Sequence, residues 1–264
     1  MFTKKIIPFL LIFFFTYVGN AQITLKVIDS VSFKNKNYQQ YKGTDIHGNS
    51  FFLQQESLIK TDGENKWEYA DLQLGIPTSV STINPLQVLV FYELTNTFVL
   101  LDRFLSEVKR VNLNNITPIR IAKWVQNTKN KEVWLYNSLN NQLEFYNYKT
   151  NTKITDNNPI SNEPKDLASG FNSAYLLFED KITGFNNYGS SICETTIDNI
   201  QKIELNNNLL LAISNTKFHF FDTNLKSLNT LKKPKNSTQG VFLGNEKLYI
   251  YSNSTLYTYQ LITQ

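Results

Sequence analysis

Apolar and polar positions along the chain repeat as two strands joined by a short polar turn. The first strand of each copy is almost continuously apolar, and the second is mixed and ends in Asp, Asn or Gln. The copies begin at Ser50, Gln87, Glu132, Ser173, Asn208 and Lys247. Their starts lie 35 to 45 residues apart, close to the roughly 40-residue period of a four-stranded propeller blade. The pattern therefore predicts an all-β fold built from repeated blades.

Two further strands flank each pair. An outer strand follows it, as in Ser106–Leu113, and its Lys, Glu and Asn residues are typical of a protected sheet edge. The predicted innermost strands are Tyr41–His47, Thr78–Ile83, Ile119–Val125, Lys165–Gly170, Ile200–Leu205 and Thr238–Leu243. We therefore predict a single β-propeller of six four-stranded blades. A β-sandwich or a lipocalin-like barrel is the rival fold, but neither predicts a repeat near 40 residues.

The two ends of the chain complement each other. Strand Ile23–Val31 has no neighbour of its own, whereas the last blade runs out of chain after Tyr257–Leu261. We predict that the N-terminal strand becomes the outermost strand of the sixth blade, so that hydrogen bonds between the chain ends close the ring.

A polar column marks the end of the second strand in each pair. Its members are Asp62, Asp102, Asn147, Asn186 and Asp222, with Gln260 as the variant. Short polar side chains of this type accept backbone N–H groups in tight turns. We predict that they stabilise the turn into each outer strand.

Residues 1–21 have the pattern of a secretory signal peptide. Lys4 and Lys5 precede an apolar run over Ile6–Phe15, and Gly19-Asn20-Ala21 supplies small residues for cleavage. The run breaks at Thr16, short of the roughly 18 apolar residues of a membrane span. The propeller domain is therefore predicted over 22–264, in an exported protein of the periplasm or outer membrane, or a secreted one.

Cysteine usage and charge limit the classes of partner. Cys193 is the single Cys, so the sequence predicts no disulfide and no lipid anchor at the cleavage site. Without Lys4 and Lys5 the formal charge falls from +4 to +2, too little to indicate nucleic acid or an anionic membrane. Three Arg against 23 Lys also disfavours phosphate recognition.

The sequence offers no catalytic constellation. His47 precedes a Gly-Asn turn, and His219 lies inside an aromatic strand without a Ser or Cys partner. Cys193 lies in a predicted outer strand without a basic neighbour to lower its pKa. No metal-ligand spacing and no glycine-rich phosphate loop is present. We therefore predict no catalytic residues, no metal and no cofactor.

Polar residues at the blade starts form one convergent group. Ser79, Arg120 and Asp166 each stand two residues after a proline, and Lys202 occupies the matching place in the fifth blade. In a propeller this place is the mouth of the central channel. The group is either a small-ligand site or a set of channel-lining residues that neutralise one another.

Two sequence features suggest sugar. Trp67, Trp124 and Trp134, with 14 Tyr, fit carbohydrate stacking, but the packing of propeller blades alone accounts for such an aromatic content. Asp29-Ser30-Val31 resembles the O-glycosylation signal of exported Bacteroidota proteins, which makes Ser30 a candidate acceptor.

The signal ends in Asn20-Ala21-Gln22, and Asn84–Tyr92 is followed by Phe98–Asp102. In these residues the chain resembles uncharacterised exported propeller proteins of Bacteroidota in the broad YVTN/WD40-like superfamily. The Gly-His and Trp-Asp signatures of WD40 repeats are missing, so no family site residues carry over. The resemblance implies an exported propeller. We interpret the chain as a non-catalytic scaffold for another envelope protein, with small-ligand binding, glycan binding, or hydrolase or lyase activity at the channel mouth as the alternative.

Overall fold

The computed structural model describes residues 23–84, 86–128, 131–235 and 237–263, and these residues form six antiparallel sheets of four strands. Each sheet is one blade, and the inner strands of successive blades contact one another around a closed ring. The predicted six-bladed propeller is confirmed. The predicted signal peptide over residues 1–21 lies outside the described residues.

The strands follow in chain order from the inner to the outer edge of each blade, except that the first strand, β1, belongs to the last blade. Blade 1 contains β2 (Gln40–Thr44), β3 (Ser50–Gln54), β4 (Ser57–Thr61) and β5 (Lys66–Tyr69). Blade 2 contains β6 (Ser79–Ser81), β7 (Val88–Tyr92), β8 (Thr97–Leu101) and β9 (Glu107–Asn112). Blade 3 contains β10 (Ala122–Asn127), β11 (Glu132–Asn137), β12 (Gln142–Asn147) and β13 (Thr152–Lys153). Blade 4 contains β14 (Asp166–Ser169), β15 (Ser173–Leu177), β16 (Lys181–Asn186) and β17 (Ser191–Thr196). Blade 5 contains β18 (Ile200–Asn206), β19 (Leu209–Ser214), β20 (Lys217–Asp222) and β21 (Ser227–Lys232). Blade 6 contains β22 (Thr238–Gly244), β23 (Lys247–Ser252), β24 (Thr255–Thr263) and β1 (Ile23–Ser32). A short 3-10 helix, Leu113–Asn115, precedes β10.

The core lies between the blades. All residues of β7 and of β8 are buried, because both faces of blade 2 are covered by a neighbouring sheet. Leu89 and Phe98, for example, share one apolar cluster with Leu135 and Tyr146 of blade 3. Full burial of each such side chain contributes about 1.5–3 kcal/mol. The continuously apolar strands seen in the sequence are therefore those that build the interfaces between blades.

The ring closes as predicted. Strand β1 pairs antiparallel with β24 from Ile23 opposite Thr263 to Ser32 opposite Thr255. The N–H of Phe33 extends this pairing by donating to the Ser254 carbonyl at 2.7 Å. The N-terminal strand thus supplies the outermost strand of blade 6, and the ring is held by hydrogen bonds between segments from the two ends of the sequence.

The polar column caps the turns into the outer strands. Asp102 Oδ1 accepts the backbone N–H groups of Phe104 and Ser106 at 2.8 and 2.9 Å. Two turn N–H groups are bound in the same way by each of Asp62, Asn147, Asn186 and Asp222. The predicted role of these five side chains is confirmed, whereas Gln260 lies within β24.

The strand order gives the ring two distinct faces. Because strands in a blade alternate in direction, the turns between first and second strands and between third and fourth strands lie on one face, named here the lower face. The turns between second and third strands and the connections between blades lie on the other, the upper face. Asp166, at the start of β14, therefore lies towards the upper face.

Candidate functional site

The inner strands border the central channel, and side chains bond their inner edges. Gln126 of blade 3 donates from Nε2 to the Leu167 carbonyl at 2.5 Å and accepts the Ser169 N–H at 3.2 Å. Asp166 of blade 4 accepts the Ile203 N–H of blade 5 at 2.9 Å. The inner strand of a blade has no further strand beside it, so some of its backbone groups lack a strand partner. Each of these side chains supplies hydrogen bonds to such groups.

The same arrangement occurs earlier in the ring. Lys42 of blade 1 donates from Nζ to the Thr78 carbonyl, just before blade 2, at 3.2 Å. Ser81 Oγ of blade 2 accepts the Asn127 N–H of blade 3 at 3.2 Å. In every one of these bonds a side chain of one blade contacts the inner edge of the next. The polar residues of the channel thus tie neighbouring blades together.

Charged residues form one cluster along the channel. Lys202 and Glu204 stand two residues apart on β18, and their Nζ and Oε1 atoms are 2.5 Å apart. The Lys202 side chain is 51% exposed, whereas that of Glu204 is mostly covered. Asp166 and Lys42 lie close enough to this ion pair for Lys202 to affect the pKa of both. We refer to Lys42, Asp166, Lys202 and Glu204 as the channel cluster.

Burial and mutual charge move the pKa values of the channel cluster. Burial raises the pKa of Asp166 to about 6, and the negative charge of Glu204 adds to this, although Lys202 and the Ile203 N–H oppose it. Burial, followed by repulsion from Lys202, lowers the pKa of Lys42 to about 8. The walls of the channel remove part of the hydration of Lys202, which favours a lower pKa, but the carboxylates of Glu204 and Asp166 outweigh this effect and the pKa is raised. Asp166 and Lys42 therefore titrate closer to neutrality than ordinary Asp and Lys side chains.

The structure brings only part of the sequence-predicted group together. Asp166 and Lys202 interact electrostatically, as expected of neighbours at the channel mouth. Ser79 begins β6, and its buried Oγ has no hydrogen-bond partner among the described residues. The role of these residues in ligand binding remains a prediction.

Arg120 lies elsewhere, inside blade 3. Its Nε is 2.6 Å from Glu144 Oε2, and the two side chains are only 3% and 2% exposed. The guanidinium also lies over the Tyr146 ring at 4.4 Å and donates to the Pro118 carbonyl at 3.0 Å. Its blade begins later than the proline spacing suggests, because β10 starts at Ala122. Arg120 therefore precedes its inner strand and turns into the blade, so it does not join the channel cluster.

The site residues predicted from the sequence do not include Lys42, Glu204 and Gln126. Lys42 lies at a bulge, between Tyr41 and Gly43, where the pairing of β2 with β3 shifts register. A bulge redirects a side chain without a reliable sequence signature. Glu204 and Gln126 could have been found by asking which polar residues interrupt an otherwise buried inner strand.

The Trp residues offer little open surface for a sugar. Trp134 is fully buried. Trp67 and Trp124 are partly buried, and each ring is covered by a lysine, with Lys60 Nζ at 5.5 Å and Lys123 Nζ at 4.7 Å from the ring centroids. These three side chains contribute mainly to packing and cation–π contacts.

The remaining candidate side chains occupy ordinary structural positions. Cys193 lies on outer strand β17, as predicted, and burial raises its pKa. His219 lies on β20 with Nδ1 3.2 Å from Thr230 Oγ1, and burial followed by the charge of Lys217 lowers its pKa. Ser30 is exposed on β1, so its hydroxyl is accessible, and its modification stays a prediction.

The upper face carries a second candidate site, an apolar surface. In the described part of the chain, blades 2 and 3 expose several large apolar side chains on their upper loops. These are Leu72, Ile76, Leu94, Ile119, Ile121 and Leu139, which we name the upper apolar surface. Leu94 is 94% and Leu72 is 83% exposed.

Hydrogen bonds hold these loops side by side. The Glu93 N–H, next to Leu94, bonds Thr78 Oγ1 at 3.1 Å. Asn96 Nδ2, in the same turn, donates to the Arg120 carbonyl at 2.6 Å. The N–H of Ser138, next to Leu139, donates to the Ile121 carbonyl at 2.8 Å. The apolar side chains therefore stand on loops that are fixed to one another.

Two grooves in the surface lie away from the channel. One, of about 500 Å³, is a polar groove at the junction of blades 6 and 1 and is lined by Tyr38, Gln55 and Ser254 among others. The other, of about 800 Å³, lies between blades 2 and 3 towards the lower face. Among the described residues, no group of three or more His, Cys, Asp and Glu side chains is placed to hold a metal ion. No helix within the described ranges has the length and apolar character needed to cross a membrane.

Comparison with known proteins identifies the fold alone. No family model matches the sequence, and no curated protein matches it. Among solved structures, virginiamycin B lyase from Staphylococcus aureus is similar with a TM-score of 0.61 at 12% identity, over 91% of this chain and 100% of that one. A streptogramin B lyase has a TM-score of 0.59 at 9% identity over 92% and 98% of the two chains. The Pan2 WD40 domain of Neurospora crassa has a TM-score of 0.58 at 11% identity over 84% and 74%. The likeness spans both lyases and a WD40 domain, so it supports a propeller and assigns no activity.

Proposed function

We propose that this chain is a non-catalytic exported protein that acts as an interaction scaffold in the cell envelope, and that its upper apolar surface binds another envelope protein. The observation that carries the proposal is the clustering of exposed apolar side chains on adjoining loops of one face. Contiguous exposed apolar patches on soluble proteins commonly mark interaction sites. Export, to the periplasm or the outer membrane, rests on the signal-like sequence of residues 1–21.

The charge around this surface favours a protein over a membrane. Asp71 is paired with Arg110, and Arg120 is buried against Glu144. Glu93, beside Leu94, forms no ion pair among the described residues. A surface that binds anionic lipid presents Lys and Arg around its apolar centre, and this one presents a carboxylate. An apolar protein surface is therefore the better match.

Capture from envelope fractions tests the proposal. The wild-type protein is expected to recover one partner in constant ratio, and the double substitution Leu94→Ser and Leu139→Ser is expected to lose it. The matched control, Ile46→Ser and Leu86→Ser, removes exposed apolar side chains from lower-face turns and should retain the partner. Purified partner and propeller should then bind each other in calorimetry, with the same dependence on the two variants.

Three outcomes would contradict the proposal. They are recovery of the propeller alone, equal capture by both variants, and binding to anionic vesicles that the upper-face variant abolishes. If the wild type associates with itself and the Leu94→Ser and Leu139→Ser variant does not, the partner is a second copy of this chain and not another envelope protein. Sedimentation velocity distinguishes that case.

A small-ligand site at the channel mouth is the second candidate. The observation that favours it is the channel cluster, in which the pKa of Asp166 is raised to about 6 and that of Lys42 is lowered to about 8. Perturbed pKa values of this kind are frequent in binding and catalytic sites. The candidate requires that a ligand raise the melting temperature of the wild type and not of Lys202→Met. If a panel of small anions and sugars stabilises both proteins equally, the channel is not the site.

A further inference from the structure

The groove between blades 2 and 3 has a lining that differs in chemistry from the upper apolar surface. It has a volume of about 800 Å³ and opens on the outer part of the lower face. Val108 and Lys109 of β9 form one side. Lys131 comes from the turn before β11, and Lys149 follows β12. Three lysines from separate segments therefore face one concavity.

These lysines are not neutralised by the groove itself. Lys109, Lys131 and Lys149 form no ion pair within the described residues. Glu132 is the single acid among the described lining residues. Its Oε1 already accepts from Asn147 Nδ2 and its Oε2 accepts from the Lys131 N–H, each at 3.1 Å. The groove is therefore positively charged.

One exposed apolar side chain, Val108, lies beside the lysines. In the pairing of β8 with β9 the register shifts between Leu100 and Leu101, which leaves Val108 without an opposite residue. Val108 is 61% exposed, and Leu100 forms part of the groove lining beside it. A bulge of this type prevents simple strand addition to an edge. It also turns an apolar side chain outward, so the groove combines positive charge with an apolar contact point.

The lining favours a carboxylate-bearing peptide over a sugar or a phosphate. The Tyr148 ring is buried, and Lys109 Nζ lies 5.4 Å from its centroid, so its face is not open to stack on a sugar. The cations are all lysines, whereas phosphate recognition prefers the planar fork of Arg. Lysines beside an exposed Val match acidic and apolar residues that alternate along a chain. We propose that this groove binds an extended acidic segment of another polypeptide.

Fluorescence anisotropy tests this proposal on the purified propeller. The probe is a fluorescein-labelled peptide in which Glu alternates with Val, compared with the same peptide carrying Gln in place of Glu. The Glu peptide is expected to bind, and replacement of Lys109, Lys131 and Lys149 by Gln is expected to weaken binding about tenfold, as for the loss of three exposed ion pairs. Binding should also weaken as the salt concentration rises.

A matched control carries Gln at Lys36, Lys226 and Lys232, which are exposed lysines remote from the groove. It changes the net charge by the same amount and should bind the Glu peptide like the wild type. Equal loss in both triple variants would reduce the effect to overall charge and overturn the proposal. Absence of binding to the wild type would overturn it too.

Two further arms separate this site from its alternatives. Polygalacturonate is expected not to compete with the peptide, and competition that the groove variant abolishes would make the occupant an acidic glycan and overturn the proposal. The Leu94→Ser and Leu139→Ser variant should bind the peptide normally. If that variant loses peptide binding, the peptide occupies the upper apolar surface and the groove proposal is wrong.

Discussion

Asp166 is partly buried beside the channel, where the loss of hydration disfavours its ionised form. Its pKa is raised to about 6 in the folded protein, mainly by burial, whereas an unfolded Asp titrates near 3.9. The folded state therefore holds a proton more tightly than the unfolded state. The resulting stabilisation is complete below about pH 4 and is lost as the pH rises through about 6.

Replacing Asp166 by Asn isolates this effect, because the amide does not titrate and its oxygen can still accept the Ile203 N–H. Between about pH 4 and pH 7 the wild type is expected to lose stability relative to Asp166→Asn by at most about 3 kcal/mol, at roughly 1.4 kcal/mol per pKa unit. Urea unfolding of both proteins at several pH values measures it. A difference in unfolding free energy that is constant with pH would show that Asp166 is not protonated in this range.

The turn carboxylates make a smaller contribution that is independent of the channel. Asp102→Ala leaves the N–H groups of Phe104 and Ser106 without their acceptor. We expect a loss of about 1 kcal/mol, because both groups regain water at the exposed turn. The comparison is Asp198→Ala, since the Asp198 side chain is exposed and forms no hydrogen bond among the described residues. Equal unfolding midpoints for the two variants in urea would show that the Asp102 side chain does not stabilise the protein by capping its turn.

At the scale of single elements, strand β1 matters most. It pairs with β24 over nearly its whole length, and Ile23 contributes to the apolar cluster between blades 5 and 6. Removal of residues through Ser32 exposes the edge of β24 and opens the ring. We expect a lower melting temperature for the whole domain, measured by circular dichroism.

Substitutions within β1 provide the control. Lys26→Gln with Ser30→Ala alters exposed side chains and keeps the backbone pairing, so it should melt like the wild type. A truncated protein that also melts like the wild type would mean that blade 6 is stable with three strands. In that case the closure by β1 would contribute little.

The strands could be predicted where burial on both faces of the sheet requires a continuous run of apolar residues. Strands such as β7 and β19 read as continuous apolar runs, and the turn carboxylates recur at the same place in each copy. The place of Arg120 was not predictable, since it depends on where β10 begins within a longer connection. Lys42 was missed for a related reason, because the bulge at that residue depends on packing between blades and not on local residue preference.

At the scale of the whole molecule, the seam between blades 6 and 1 depends on close approach of two inner strands. Gly43 of β2 has a φ of +139°, and a Cβ at this position would lie 2.8 Å from the Phe242 ring of β22. Gly43→Ala therefore combines backbone strain with crowding across the seam. We expect a loss of about 2–4 kcal/mol from these two effects, measured by urea unfolding.

Gly63→Ala separates the two effects. Gly63 has a φ of +104° with nothing within 4 Å of the added Cβ, so it should lose only the strain component, about 1–2 kcal/mol. Adding Phe242→Leu to Gly43→Ala should recover part of the stability by relieving the crowding. If the two alanine variants are equally stable, the seam accommodates a methyl group at position 43, and the close packing of blades 6 and 1 there is not required.

The pairing of Ile23 with Thr263 has a consequence for how the chain could be reconnected. These residues are directly opposite each other on neighbouring strands, about 5 Å apart at their Cα atoms. A short glycine linker between them, with new termini opened in an exposed turn such as that at Asn215, gives a circular permutant with every strand pair intact. Such a permutant is expected to fold to the same ring. Its melting temperature would then depend on the blade that carries the new break, which makes the contribution of each blade to closure measurable one at a time.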